Sequence, residues 1–324
     1  MRSGIIDHLS KVWNAGASSF LGVSLAGRIA MITTIEWTNL TLNIARGCRK
    51  VSPGCKHCYA ERLSERFRGV EGHHFENGFD PQLVPDRLLT LFKFTRPMKI
   101  FVNSMSDFFL EDFPTEYLML AAHIMMMTPW HMYQILTKRS RRMRELLQGP
   151  LRFAAAAPHI AWGVSVEDRA YGLPRIDHLR EVGAVLPFLS IEPLLEDISP
   201  ELNLEGMRWV IVGGESGPHA RPMLPNWVTP IFRQCRTRRI PFFFKQWGGV
   251  QKGKTGRRLR GRLYSEFPLM PFSPVPSHKI RQAMATQMEP EVRAWETVSL
   301  IPPSRLTQRL ASAIEHPTGS QPCT

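Results

Sequence analysis

Three cysteines stand close together in the segment GCRKVSPGCKHCYAE: Cys48, Cys55 and Cys58, spaced C-x6-C-x2-C. Gly47, Pro53 and Gly54 let the intervening loop curl so that the thiols converge. Tyr59, Ala60 and Glu61 open a helix whose amino terminus favours the negative charge of thiolates. Three thiolates from one loop suit three irons of a [4Fe–4S] cluster. The fourth iron is then open to the amino and carboxylate groups of S-adenosylmethionine. The C-x2-C half is also a zinc half-site, for which His57, His73, His74 or Cys235 would be the fourth ligand. The chain has no second CxxC and no clear HxxxH pair, and the residues alone leave both metals standing. GxSxG and HExxH are absent, so serine-hydrolase and zincin chemistry lack their parts.

Charge points to anionic ligands. The formal net charge is +13, from 41 Lys and Arg against 28 Asp and Glu. Residues 233–262 hold eleven basic side chains and no acid, and a second run comprises Lys138, Arg139, Arg141, Arg142 and Arg144. Such runs suit phosphate, carboxylate-bearing cofactors or nucleic acid, and a solvated basic face is the plain alternative. Five cysteines without a secretory segment place the chain in a reducing compartment, the cytoplasm. No run approaches the roughly 18 apolar residues of a membrane span.

The elements that must position these residues follow from periodicity. Runs rich in branched and aromatic residues predict strands at 40–45, 98–103, 132–137, 160–166, 185–191, 208–214 and 241–246. Helical spacing separates them at 59–67, 114–127, 140–148, 173–183 and 226–238. Strands alternating with helices predict a parallel sheet. Polar residues collect just after the strands: 46–48, 104–107, 137–139, 165–168, Glu192, 213–216 and 245–247. That arrangement predicts a partial (β/α) barrel with its active site at the carboxyl ends of the strands, in the manner of a TIM barrel. An open doubly wound sheet is the rival. Residues 1–31 read as an N-terminal extension, 32–270 as the barrel domain, and 271–324 as a Pro/Ser-rich, loosely ordered tail. The run of Met125, Met126 and Met127 reads as core filling.

The segments IEWTNLTLNIARGCRKVSPGCKHCYAERL, VNSMSDFF, ILTKR, WGVSVED, IEPLL, WVIVGGESGPHARPM, PFFFKQWG and GRLYSEFP follow in this order across residues 35–268. In them the chain resembles a phage-related three-cysteine family, the phage Gp-thirty-seven/Gp-sixty-eight proteins, which look radical-SAM-like. The resemblance implies a [4Fe–4S] cluster on Cys48, Cys55 and Cys58 that reduces S-adenosylmethionine and releases a 5′-deoxyadenosyl radical. The first gap of six residues departs from the commoner C-x3-C-x2-C spacing. Under this reading Ser104 and Asp107 take the methionine ammonium, Ser165 and Glu167 the ribose hydroxyls, and His57 or Tyr59 the adenine. Lys138, Glu192, Glu215 and Lys245 are the candidate catalytic residues; Lys138 and Lys245, with Arg139 and Gln246, would grip a carboxylate or phosphate. Trp247 would stack on a base or cover the barrel. The implied substrate is an anion such as a nucleic acid or nucleotide, and relatives imply a three-Cys-motif partner protein. Two other readings stand beside this one: a zinc-stabilised nucleic-acid-binding module without catalysis, and an iron–sulfur electron-transfer or sensor protein.

Overall fold

The computed structural model describes residues 33–270, 272–298 and 300. The branched and aromatic runs become strands β1 (Leu40–Leu42), β4 (Lys99–Val102), β5 (Met132–Thr137), β6 (Ile160–Ser165), β7 (Leu186–Ile191), β8 (Trp209–Gly213) and β9 (Phe242–Gln246). Between the first two lies a separate antiparallel pair, β2 (Ala45–Arg46) with β3 (Gln82–Leu83). The main sheet is parallel throughout, and its order β1-β4-β5-β6-β7-β8-β9 follows the chain. A doubly wound sheet reverses direction at a switch point. Here every crossover advances the same way, which carries the helices to one face and leaves the other concave. β1 and β9 are the edges of the sheet, so the barrel is partial.

The predicted strand at 40–45 divides. Asn103 Oδ1 accepts hydrogen bonds from the amides of Ile44 and Ala45 at 3.0 and 3.2 Å. Asn43 Oδ1 accepts from Met105 N at 3.0 Å and from Ser104 Oγ at 3.1 Å. These side-chain carbonyls take the place of ladder partners, so the chain leaves the sheet at Asn43 and re-pairs as β2.

The concave face is apolar at its lower end. Trp37, Phe101, Met132, Ala161, Leu186, Phe188, Trp209, Ile211 and Phe243 form one buried cluster. Trp37 sits 4.6 Å from Phe101 and 6.1 Å from Trp209, ring centre to ring centre. Gly163 makes this possible: a Cβ there would lie 2.3 Å from the Phe188 ring. On the convex face, α2 (Thr115–Met127), α3 (Ser140–Gln148), α4 (Leu173–Arg180) and α5 (Pro225–Thr237) follow their strands, while α1 (Tyr59–Glu65) follows the cysteine loop. Met125 is buried in α2, as core filling requires.

The segment expected to be loosely ordered contains a 16-residue helix, α6 (His278–Arg293). Ser277 caps it, and the nearly buried Arg281 donates from Nε to Phe92 O at 3.0 Å. Met288 and Val292 are buried on the same face. The flanking Pro and Ser runs mask this stripe in the sequence, because their composition is that of a loosely ordered tail. The expected N-terminal extension, residues 1–31, lies outside the described residues. No helix among the described residues is long and apolar enough to cross a membrane.

Candidate functional site

The cysteine loop begins directly after β2. Gly47 has φ +75°, and a Cβ on it would lie 2.3 Å from the Asp80 carbonyl oxygen. Only glycine meets both demands. Its amide donates to Met105 O at 3.1 Å, and its carbonyl accepts from Ser106 Oγ at 2.6 Å, so the loop entrance is tied to the end of β4. The loop then makes one 3-10 turn, Pro53–Cys55, and Cys58 becomes the N-cap of α1.

Three side chains from three strand ends hold this loop. Arg139, after β5, is 6% exposed. It donates to Cys48 Sγ at 3.4 Å, to Asp107 Oδ2 at 3.2 Å, to Glu111 Oε2 at 2.6 Å and to Arg49 O at 2.9 Å. Glu167, after β6, is fully buried and accepts from Ser52 Oγ and from Arg175 Nη1 of α4. Glu215, after β8, forms a two-pronged pair with Arg221, whose guanidinium also donates to Pro53 O at 2.9 Å. Burial alone would raise the Glu167 carboxyl. The Lys138 and Arg175 charges, with the hydrogen bonds from Arg175 and Ser52, outweigh it and hold the group below the usual carboxylate range. Glu215 is likewise depressed, its burial overcome by Arg221.

Beside the loop a cavity of about 510 Å³ opens at the carboxyl ends of the strands. Trp37, Phe101 and Leu136 form its apolar wall, and Cys58, Tyr59, Lys138, Ser165, Ser190, Glu192, Lys245 and Gln246 its polar one. Lys245 Nζ donates to Glu192 Oε1 at 2.6 Å, and Gln246 Nε2 donates to the same oxygen at 3.3 Å. Neighbouring strand residues normally point to opposite faces. A register shift makes this exception: Val212 faces Phe244 and Gly213 faces Gln246, leaving Lys245 as the extra residue. Such a bulge re-aims side chains beside a site. GGESG serves the same edge, since a Cβ on Gly214 would lie 2.1 Å from Trp247 O.

Two of the cysteines have a hydrogen-bonding group within reach of the sulfur. Arg139 meets Cys48. Ser52 Oγ lies 3.9 Å from Cys55 Sγ. Cys58 sits at the N-cap of α1 with no side-chain cap hydrogen bond, and the nearby Glu61 and Ala60 amides only partly offset the effect of its burial. Burial, reinforced by Asp107, pushes the Cys48 thiol up to about 12 despite Arg139, and burial also raises Cys58. Metal uptake at these thiols therefore releases protons and is favoured by rising pH. Among the described residues no three His, Cys, Asp or Glu side chains meet around one point, as a single ion demands. Cys48, Cys55 and Cys58 are free thiols on one loop, a donor set that three irons of a cluster would accept. Of the supposed zinc partners, Cys235 is buried on α5 and the His73 ring stacks on Phe67 and His74, while His57 stays in the cysteine loop and lines the cavity.

Several predicted roles change accordingly. Asp107 is not available to a ligand ammonium, because Thr137 Oγ1, Phe109 N, Lys138 N and Arg139 already occupy its two oxygens. Glu167 is fully buried and is taken up by Ser52 and Arg175, whereas Glu215 lines the cavity with its carboxylate paired to Arg221. Ser104 donates to Asn43 and its carbonyl accepts from Tyr59 Oη at 2.5 Å. Trp247 donates from its indole to Arg258 O at 2.9 Å and thereby holds the following loop. His57, Tyr59, Lys138, Ser165, Glu192, Glu215 and Lys245 line the same cavity. Ser52, Arg175 and Arg221 escaped the sequence reading. Arg175 carried a signal, an arginine inside the apolar stripe of α4, whereas Ser52 and Arg221 carried none. The second basic run is also not an open field: Arg139 is buried, Arg142 donates to Leu110 O and Phe113 O, and Arg144 pairs with Glu181.

Among solved structures the chain is similar to spore photoproduct lyase. One such structure is a double mutant with bound AdoMet and dinucleoside spore photoproduct, and another is a complex with dinucleoside spore photoproduct. Each is 12% identical, with a TM-score of 0.41, over 64% of this chain and 63% of that one. The match thus spans less than two thirds of the lyase. No curated protein matches. Residues 32–268, which carry the cysteine loop, the strand ends and the cavity, match the family described as protein of unknown function DUF5131, and the chain belongs to that family.

Proposed function

We propose that this protein is a radical-SAM-type enzyme that acts on an anionic substrate, with a nucleic acid or nucleotide the favoured class. The observation that carries the reading is the cysteine loop itself. Three thiols on one loop are braced by Arg139, Glu167 and Arg221 at the edge of a cavity lined by Lys138, Glu192 and Lys245. Cys48, Cys55 and Cys58 would hold a [4Fe–4S] cluster, which supplies the electron that splits S-adenosylmethionine into methionine and a 5′-deoxyadenosyl radical. The resemblance to the phage-related three-cysteine proteins supports the same assignment and suggests a three-Cys-motif partner. The chain's own residues bind and orient. Lys138 forms no ion pair among the described residues and presents its ammonium to a carboxylate or phosphate. Ser165 and Ser190 offer hydroxyls, the Glu192–Lys245 pair offers both charges, and the Trp37, Phe101 and Leu136 wall excludes water.

Anaerobic purification followed by iron, sulfide and zinc analysis tests this, with 5′-deoxyadenosine measured after dithionite reduction in the presence of S-adenosylmethionine. The expected result is a cluster that Cys55→Ala abolishes, together with 5′-deoxyadenosine formation. Stoichiometric zinc with no cluster after reconstitution overturns the reading. A cluster without 5′-deoxyadenosine would make the protein an electron carrier or sensor.

A further inference from the structure

The basic run at 233–262 looks like one field in the sequence, but the fold cuts it in two. Arg233, Arg236, Arg238 and Arg239 lie at the end of α5, before β9, and Arg236 there pairs with Glu266. All of the remainder but Lys245 follows the carboxyl end of β9. Trp247 N donates to Gly256 O at 3.1 Å, its indole binds Arg258 O, and Gly249 N donates to Glu215 O at 2.7 Å. Residues 254–262 are thereby packed on the loop that contains Val250, a cavity-lining residue.

On this loop Lys254, Arg258, Arg260 and Arg262 are exposed, and none forms an ion pair among the described residues. Across the mouth, Arg62 lines the cavity and Lys56 stands exposed, again without ion pairs among the described residues. The acids at the mouth are mostly spoken for: Glu192 by Lys245 and Glu215 by Arg221. Glu36 is the cavity-lining acid without an ion pair among the described residues.

We propose that the loop carrying Lys254, Arg258, Arg260 and Arg262 is a docking surface for the phosphate backbone of a nucleic acid, whose substrate nucleotide enters the adjacent cavity. A small anion is held by donors converging on one point, whereas these exposed cations follow one another along a loop, as a polyanion requires. The proposal names the substrate class of the enzyme proposed above and rests on that reading for the entry of the nucleotide, but not for the docking.

The test is fluorescence anisotropy of a labelled single-stranded oligonucleotide with the full-length protein over a range of salt. In one variant Lys254, Arg258, Arg260 and Arg262 are all changed to Gln; in the other Arg233, Arg238 and Arg239 are. The mouth variant should bind at least tenfold more weakly, and its log–log salt slope should fall by ~0.7 for each phosphate it no longer neutralises. The far-end variant should stay within about twofold of wild type. Arg260→Gln alone should give a proportionate share of the loss should the quadruple variant not fold. No oligonucleotide binding by the wild type, equal loss in both variants, or binding only to anionic lipid vesicles would overturn the proposal. Iron and sulfide content, measured on the same samples, separates its failure from failure of the cluster reading.

Discussion

The two halves of the concave face are built from the same alternating positions on the same strands, yet they obey different rules. Along β7 the inward residues run Leu186, Phe188, Ser190 and then Glu192; along β8 they run Trp209, Ile211 and Gly213, with Glu215 beyond. The lower half is an aromatic floor that gains stability from burial and needs no partners. The upper half carries charge, and each buried charge must be met by another or by hydrogen bonds. Its carboxylates divide again: Glu167 is buried in the brace of the cysteine loop, Glu192 lines the cavity, and Glu215 does both, pairing with the Arg221 that holds the loop. A rim acid thus stiffens the loop where an arginine closes on it, and Glu192, paired with Lys245, leaves the loop untouched.

The floor should show the largest effect. Trp209 is fully buried among Trp37, Phe188 and Phe243, and Trp209→Ala should cost about 3–5 kcal/mol in urea unfolding. A loss below ~1 kcal/mol would mean that the floor is not the core of this face.

The braces come next. Glu167→Gln leaves the Arg175 guanidinium buried without its counter-charge, and a loss of about 2–3 kcal/mol is expected at neutral pH. Because the folded carboxyl is held below its unfolded value, this stabilisation is present above the ordinary glutamate range near ~4.3 and fades as pH falls through the lower folded value. The wild-type and variant unfolding midpoints should therefore converge in acid; a constant gap would rule out the charge pair as the cause.

The smallest stability effect belongs to the cavity pair. Lys245 and Glu192 both keep partial solvent contact, with side chains 16% and 18% exposed. Lys245→Met should change unfolding by less than ~1 kcal/mol, while S-adenosylmethionine binding, followed by calorimetry, should weaken about tenfold. A stability loss above ~2 kcal/mol would move this pair among the braces and erase the distinction within the rim.

Much of this could be read directly from the chain. Seven branched or aromatic runs, each followed by polar residues, announce a parallel sheet with chemistry at one edge, because strand periodicity and helix spacing are local properties. The cysteine triplet and its glycine-rich loop are equally local. Which polar residue meets which was not legible there. Asp107, Glu167, Glu192 and Glu215 look alike as acids after strands, and their fates depend on Arg139, Arg175, Lys245 and Arg221, some near in sequence and some far. Likewise, the division of the basic run by β9 and the bulge that turns Lys245 and Gln246 to one oxygen are long-range events.

Residue type and spacing along a few turns were enough to set the seven strands of the main sheet, the helices between them and the cysteine-bearing loop, but not the β2–β3 pair or α6. Only the packed fold settled that the strands advance without reversal, that the cysteine loop is braced from three strand ends, and which charges remain open to a ligand. A buried charge must find its partner in space, and the order of residues along the chain carries no measure of that distance.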